Sequence, residues 1–149
     1  MEWHDVVGFL DGAGLAHLAT SSITGRPHVS VVSPAVEGEV LWFATTTTSQ
    51  KARNLASNPR AALMWQPRAE IYLSGRVVLI ADEAEKRRLW ESGLFPFDLA
   101  AFWGSPANPQ LVFVRVEPES AVVMSMGPGG ITRQTWRRVG PSLPDPPPR

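Results

Sequence analysis

Four threonines, a serine and a lysine fall within one short run, Thr45-Thr46-Thr47-Thr48-Ser49-Gln50-Lys51, and Arg53 follows closely. A β-prone apolar stretch ends just before this run. After it, Gln50-Lys51-Ala52-Arg53-Asn54-Leu55-Ala56 places Ala52, Leu55 and Ala56 at the i, i+3, i+4 spacing of one helix face. So a strand ends, hydroxyls cluster, and a helix begins with a lysine in its first turn. The first amides of a helix lack internal partners, and the helix dipole adds to their attraction for anions. Hydroxyls of Thr45, Thr47 or Ser49 can donate to phosphate oxygens. Lys51 and Arg53 add positive charge, arginine in a forked geometry. The segment can therefore cradle a phosphate without a glycine-rich loop. The same residues also suit an ordinary helix start, with Ser49 as N-cap and both cations solvated. Residue types alone favour that ordinary start.

Other chemistry finds less support. The chain has no cysteine, which excludes disulfides, thiolate-bound zinc, iron–sulfur clusters and a cysteine nucleophile. His4, His17 and His28 show no metal-ligand spacing, so no metal is expected. His17 lies in an apolar strand and reads as a partly buried, hydrogen-bonded residue. No Gly-x-Ser-x-Gly elbow is present for a serine hydrolase. Gly127-Pro128-Gly129-Gly130 lacks the spacing and βαβ context of a dinucleotide loop and reads as a turn. The tryptophans read mainly as core or interface residues. Trp90, Phe95 and Trp103 are candidates to line a pocket, with packing as their more ordinary role.

The elements that must position the Thr45–Lys51 segment are short. His4 to Gly14 reads as a helix with Val6, Val7 and Leu10 on one face, stopped by Gly12 and Gly14. Leu15 to Ser21, Pro27 to Val36 and Val40 to Ala44 read as strands with short connections, which suggests an antiparallel meander. Asn58-Pro59 ends the helix begun at Gln50. Strands resume at Ala61–Trp65 and Ile71–Ala81. Asp82 and Glu85 resemble a capping box opening a helix that contains Leu89 and Trp90. Gly93 to Asn108 is loop-rich. Leu111–Val116 and, beyond Pro118, Ala121–Met126 read as strands, and Ile131–Val139 offers one more. The fold class expected is mainly β, a six- to seven-stranded antiparallel barrel with short helices, since closure removes exposed edges. The domain spans residues 1–139. The tail, 140–149, holds five prolines and is expected to make no packed structure.

The chain has 149 residues, 44% of them hydrophobic, which suits one domain with a real core. Fourteen basic residues balance fourteen acidic ones. That balance argues against nucleic acid and against an anionic membrane surface as partners. The N-terminus Met1-Glu2-Trp3-His4-Asp5 lacks the basic and apolar regions of a secretory signal, and no apolar run is long enough to span a bilayer. A cytoplasmic location is expected.

The ordered series of short motifs carries a family resemblance. Gly25-Arg26-Pro27-His28-Val29-Ser30-Val31-Val32-Ser33, Val40-Leu41-Trp42-Phe43-Ala44-Thr45, Ser49-Gln50-Lys51-Ala52-Arg53-Asn54-Leu55 and Asn58-Pro59-Arg60 together resemble the pyridoxamine 5′-phosphate oxidase-like superfamily. Leu73-Ser74-Gly75-Arg76-Val77, Leu89-Trp90, Phe95-Pro96 and the run from Pro109 to Pro118 continue it, and are most similar to its general-stress-protein group. The resemblance extends from Leu15 to Met126.

What the resemblance implies is a split barrel that binds FMN or a deazaflavin. It implies a homodimer whose two protomers pack face to face, with each cofactor in the interface groove. The second strand then runs past the flavin ring, which places Val31, Val32 and Ser33 at the ring and His28 near the start of the contact. Ala44 and Thr45 lie along the cofactor, and Ser49, Gln50 and Lys51 hold its phosphate. The implied reaction is hydride exchange at the ring with a small-molecule substrate or electron donor. The cofactor supplies that chemistry, so no catalytic acid, base or nucleophile is needed from the protein. Two positions depart from the oxidase itself: His28 stands where it has an arginine and Ser33 where it has a lysine. Its C-terminal tryptophan and arginine for cofactor and substrate are not placed by the resemblance, so oxidation of vitamin B6 is not implied. Two alternatives stand beside an FMN-dependent oxidoreductase. One is a reductase using the deazaflavin coenzyme F-420, for which Lys51-x-Arg53-Asn54-Leu55 and Asn58-Pro59-Arg60 speak. The other is a non-catalytic flavin-binding or stress-response protein.

Overall fold

The computed structural model describes residues 1–66 and 68–141. The expected tail, 140–149, lies almost wholly outside them. Helix α1 (Trp3–Leu10) precedes strands β1 (Ala16–Ser21), β2 (Pro27–Val32), β3 (Ala35–Glu37) and β4 (Val40–Thr46). Helix α2 (Gln50–Ser57) leads to β5 (Arg60–Trp65) and β6 (Glu70–Ile80). Helices α3 (Glu83–Glu91) and α4 (Leu99–Trp103) come next, then β7 (Leu111–Gly127) and β8 (Gly130–Arg137). No helix among the described residues is long and apolar enough to cross a membrane.

The strands form one antiparallel sheet in the order β2-β1-β5-β6-β7-β4-β3, with β8 added to β7. The two end strands, β2 and β3, do not pair, yet only Ser33-Pro34 joins them. A chain advances at most about 3.6 Å per residue, so Val32 and Ala35 lie within about 11 Å. The sheet must therefore curl until its ends meet, which makes a barrel with a split between β2 and β3. The mainly β barrel is as expected, and so are both pairings of the meander, but its middle strand is broken into β2 and β3. β1 pairs β2 and β5, while β4 pairs β3 and β7.

Among the described residues the strands number eight against the six or seven expected, and two prolines change the expected strands in opposite directions. Pro34 interrupts the continuous-looking run from Pro27 to Val36, because its ring removes a ladder donor. Pro118, read as an end, instead sits inside β7. The register shifts there, pairing Ser74 with Ser120 and Gly75 with Pro118, so that Glu119 is an extra residue in a bulge. Proline is tolerated in a sheet at such bulges. Gly75 is required at the same place: a Cβ on it would collide with the Glu117 carbonyl. Gly75→Ala should therefore cost roughly 1–3 kcal/mol and lower the melting temperature by several degrees, which a thermal scan by circular dichroism would register. An unchanged melting temperature would show that the β6–β7 bulge yields without cost.

Two cores flank β4, which explains why its residues from Val40 to Phe43 are all buried. Leu41 and Phe43 point into the barrel with Val6, Leu18, Leu55, Leu63 and Val114. Val40 and Trp42 point outward beneath α3 and α4, against Leu89, Leu99 and Phe113. Asp82 caps α3 by accepting from the Glu85 amide at 2.9 Å. The Glu85 side chain binds Arg88 at 2.7 Å instead of completing the expected box. Arg88 also grips Glu37 through both terminal nitrogens, at 2.9 and 3.0 Å, pinning α3 to β3. That pairing holds the Glu37 carboxyl below the usual carboxylate range.

Candidate functional site

Helix α2 begins as the hydroxyl-rich sequence suggests. Ser49 has extended backbone and its Oγ accepts from the Ala52 amide at 3.2 Å. The Thr45 and Ser49 hydroxyls are bonded at 3.0 Å. The ordinary N-cap is thus real, but it leaves the rest of the helix start unsatisfied. The Gln50 and Lys51 amides, first in the helix, find no backbone acceptor among the described residues. Lys51 has no carboxylate within ion-pairing distance among the described residues. Its ammonium is half-buried, and burial pushes its pKa below the usual lysine range. The first turn of α2 carries no acidic residue. A cation at a helix N-terminus is normally disfavoured by the dipole, so the charge of Lys51 is uncompensated by its own helix. Arg53 turns away, donating to Gln50 Oε1 at 2.7 Å.

The turn before the cradle is braced from behind. Trp103 donates to the Thr46 hydroxyl at 3.3 Å, and the Thr47 amide to the Gln110 carbonyl at 2.8 Å. Asn108 ties the same loop to the Trp103 carbonyl at 2.9 Å. Buried Lys86 donates to the Asn108 carbonyl, also at 2.9 Å. Trp90, Phe95 and Trp103 pack against the outer core, as their ordinary reading has it.

A buried polar link joins α2 to β1 and, through it, to β2. Asn54 donates to Thr20 Oγ1 at 3.0 Å and accepts from Gln50 Nε2 at 2.8 Å. Thr20 lies opposite His28 in the β1–β2 ladder. The start of β2 therefore sits against the first turns of α2. Sequence reading missed both Thr20 and Asn54, because their partnership spans 34 residues and neither position is marked by a motif.

The proposed ring strand divides by face. Val32 is buried in the barrel core, with His28 and Ser30 on the same side; Val29 and Val31 face outward. The ring of His28 and the hydroxyl of Ser30 have buried polar atoms, Nδ1 and Oγ, without a partner among the described residues. Ser30 was not among the expected residues, although the two-residue repeat of the strand places it beside His28. Ser33 lies beyond the strand end, about 17 Å along the chain from His28 at the rise of a β-strand. Among the described residues β2 pairs on one side only, which leaves part of its backbone free for hydrogen bonding. Ala44 and Thr45 point to opposite sides of β4: Thr45 towards Ser49, Ala44 towards the outer core. The structure thus gathers Thr45, Ser49, Gln50 and Lys51, with His28 near them. Val32 is left only backbone contact, and Ser33 stands at the far end of β2.

This donor set fits an elongated, phosphate-bearing ligand. Free amides and an uncompensated ammonium lie at one end, with orphaned polar atoms and an unpaired strand edge leading away. Among the described residues no group of three or more His, Cys, Asp or Glu could hold a metal.

A split barrel with a lysine and unpaired amides at the start of α2 describes the class of protein. A family model described as pyridoxamine 5′-phosphate oxidase matches residues 3–124, and the chain belongs to that family. No curated protein matches. Among solved structures, the chain is similar to general stress protein 26 from Bacillus anthracis, with 19% identity, a TM-score of 0.70 and coverage of 91% of this chain and 97% of that one. It is similar to a pyridoxamine 5′-phosphate oxidase-related, FMN-binding protein from Nostoc punctiforme, with 18% identity, a TM-score of 0.76, and coverage of 92% and 91%. An F-420 reductase shares 27% identity at a TM-score of 0.55 over 73% of this chain and 89% of its own.

Proposed function

We propose that this protein binds FMN as a homodimer and exchanges hydride between the flavin and a small-molecule substrate. The observation that carries the reading is Lys51: a half-buried ammonium with no carboxylate beside it, set behind two free helix amides. FMN fits the cradle at its phosphate end and the free edge of β2 at its ring end. The flavin supplies the hydride chemistry when bound. Lys51 and the Gln50 and Lys51 amides anchor the phosphate, with Ser49 and Thr45 fixing the turn. His28 and Ser30 offer hydrogen bonds towards the cofactor, and the β2 backbone orients the ring. His28 and Ser33 in place of arginine and lysine leave this protein without two charges of the oxidase, so vitamin B6 oxidation is not proposed.

The similarity to an F-420 reductase supports a second reading, a deazaflavin-dependent reductase. Titrating FMN and coenzyme F-420 side by side distinguishes the two. Micromolar or tighter affinity for FMN supports the first reading; affinity for F-420 alone supports the second. Tight binding of either without turnover with any electron donor would leave a protein that stores or senses the cofactor.

The lowered pKa of Lys51 makes the cradle pH-sensitive in a stated direction. The ammonium attracts phosphate, and it loses its proton at a pH below the usual lysine range. FMN affinity should therefore fall as pH rises through that lowered value. Lys51→Arg stays charged and should remove the fall. Equal slopes for the two proteins in fluorescence titrations would mean that Lys51 does not meet the phosphate.

A further inference from the structure

We infer that Lys86 is a positioning residue for the phosphate cradle, holding the threonine turn in place from behind through the 103–110 loop. Lys86 shares the buried face of α3 with Leu89 and is only 4% exposed. Such a position is ordinarily apolar, because burying an ammonium is costly unless a carboxylate compensates it. Among the described residues no carboxylate lies within ion-pairing distance of Lys86. Its ammonium donates instead to the Asn108 carbonyl, at 2.9 Å. That carbonyl does not need the lysine to be satisfied, since the Leu111 amide also donates to it, at 3.1 Å. The reason for a buried charge here lies in what Asn108 holds.

Two routes of hydrogen bonds lead from Asn108 to the turn. Along the first, its side-chain amide donates to the Trp103 carbonyl at 2.9 Å, and the Trp103 indole donates to the Thr46 hydroxyl at 3.3 Å. Along the second, its side-chain oxygen accepts from the Gln110 amide at 2.9 Å, and the Gln110 carbonyl accepts from the Thr47 amide at 2.8 Å. The Thr46 carbonyl in turn accepts from the amide of Ser49, the N-cap of α2, at 2.9 Å. Both routes therefore end on the residues that set where α2 begins.

The inference rests on the reading of the α2 start as a phosphate site and names the support behind it. Binding groups work only when held to within about 0.5 Å of their productive geometry by a rigid surround. The helix supplies the Gln50 and Lys51 amides, but the turn before it fixes where they point. Lys86 touches no ligand and acts through that turn.

The test is Lys86→Met in the full-length protein, which keeps the apolar stem and removes the ammonium. It should melt no lower than the wild type, because the desolvation penalty goes and the Leu111 amide still serves the Asn108 carbonyl. FMN affinity is expected to fall about tenfold, while affinity for riboflavin, the same ring without the phosphate, stays within about twofold. In the ligand-free protein the Thr47 amide should exchange with solvent about tenfold faster, followed by NMR. Trp103→Phe keeps an aromatic ring and drops the N–H to Thr46. It is the second variant should Lys86→Met not fold, and it should show the same loss for FMN alone. A lower melting temperature with equal loss of both flavins would make Lys86 a structural residue and overturn the inference. Unchanged FMN affinity in both variants overturns it too, as does an unchanged Thr47 exchange rate, which decides the matter where riboflavin binds too weakly to titrate. A wild type that binds FMN no more tightly than riboflavin overturns the phosphate cradle itself, and the inference with it. A wild type that prefers FMN, beside a Lys86→Met that prefers it equally, overturns the inference alone.

Discussion

Lys51→Ala is expected to weaken FMN binding about 10- to 100-fold while leaving the ligand-free protein no less stable than the wild type. The first part follows from the loss of a charge-assisted hydrogen bond, worth about 1.5–3 kcal/mol. The second follows from the sign of the pKa shift. Burial pushes Lys51 down, so the folded state holds its proton less tightly than the unfolded chain does. Between the lowered value and the ordinary lysine range the unfolded state binds more protons, and stability rises with pH. Below that window both states carry the charge, and the folded state bears an unrelieved desolvation penalty. Alanine removes the penalty along with the charge. A purely structural lysine would behave differently, since its loss would lower the melting temperature and spare the affinity. Isothermal titration with FMN and a thermal scan of the free protein measure the two quantities. An unchanged dissociation constant would remove Lys51 from the site, and a lower melting temperature would make it a structural residue.

The start of α2 is legible in the sequence, and the reasons are local. Ser49, Ala52 and Leu55 announce α2 because capping and helical spacing act within a few residues. Asn58 closes the helix as the following proline requires. What was not legible depends on distant partners. The expected helix face included Ala56, but Asn54 is buried instead, because Thr20 satisfies its amide. His17 was read as partly buried from its apolar neighbours, yet it is exposed. Ala16, Leu18 and Thr20 take the inward positions of β1, and strict alternation turns His17 out. The split was obscured because Ala35 and Val36 continue the apolar run, and pairing β3 with β4 is a property of the whole sheet. Pro118 misled for the converse reason: a bulge built around Gly75 on the neighbouring strand absorbs it.

The outward turn of His17 belongs to a larger surface, and that surface supplies the other large effect. Val31, His17, Met64 and Tyr72 lie opposite one another across β2, β1, β5 and β6, and Val29, Ala19, Ala62 and Ser74 form the adjoining row. Directly paired residues share a face. Val29 and Val31 are 66% and 55% exposed and Tyr72 40%, so this sheet face is apolar and uncovered in the single chain. A proposed homodimer through it would bury the patch beside β2, where the ring is proposed to lie. Val31→Asp is then expected to weaken the dimer by about 100-fold or more, because each interface would enclose two unpaired carboxylates at a cost of several kcal/mol. The monomer should fold normally, since an exposed strand position tolerates a polar side chain. Light scattering over a dilution series reads the dimer, and FMN titration at the same concentrations reads the site. If the cofactor groove is built by two chains, affinity falls together with the dimer. A variant that becomes monomeric yet binds FMN as tightly as the wild type would place the whole cofactor on one chain. A variant that remains dimeric at wild-type strength would move the interface to another face of the barrel.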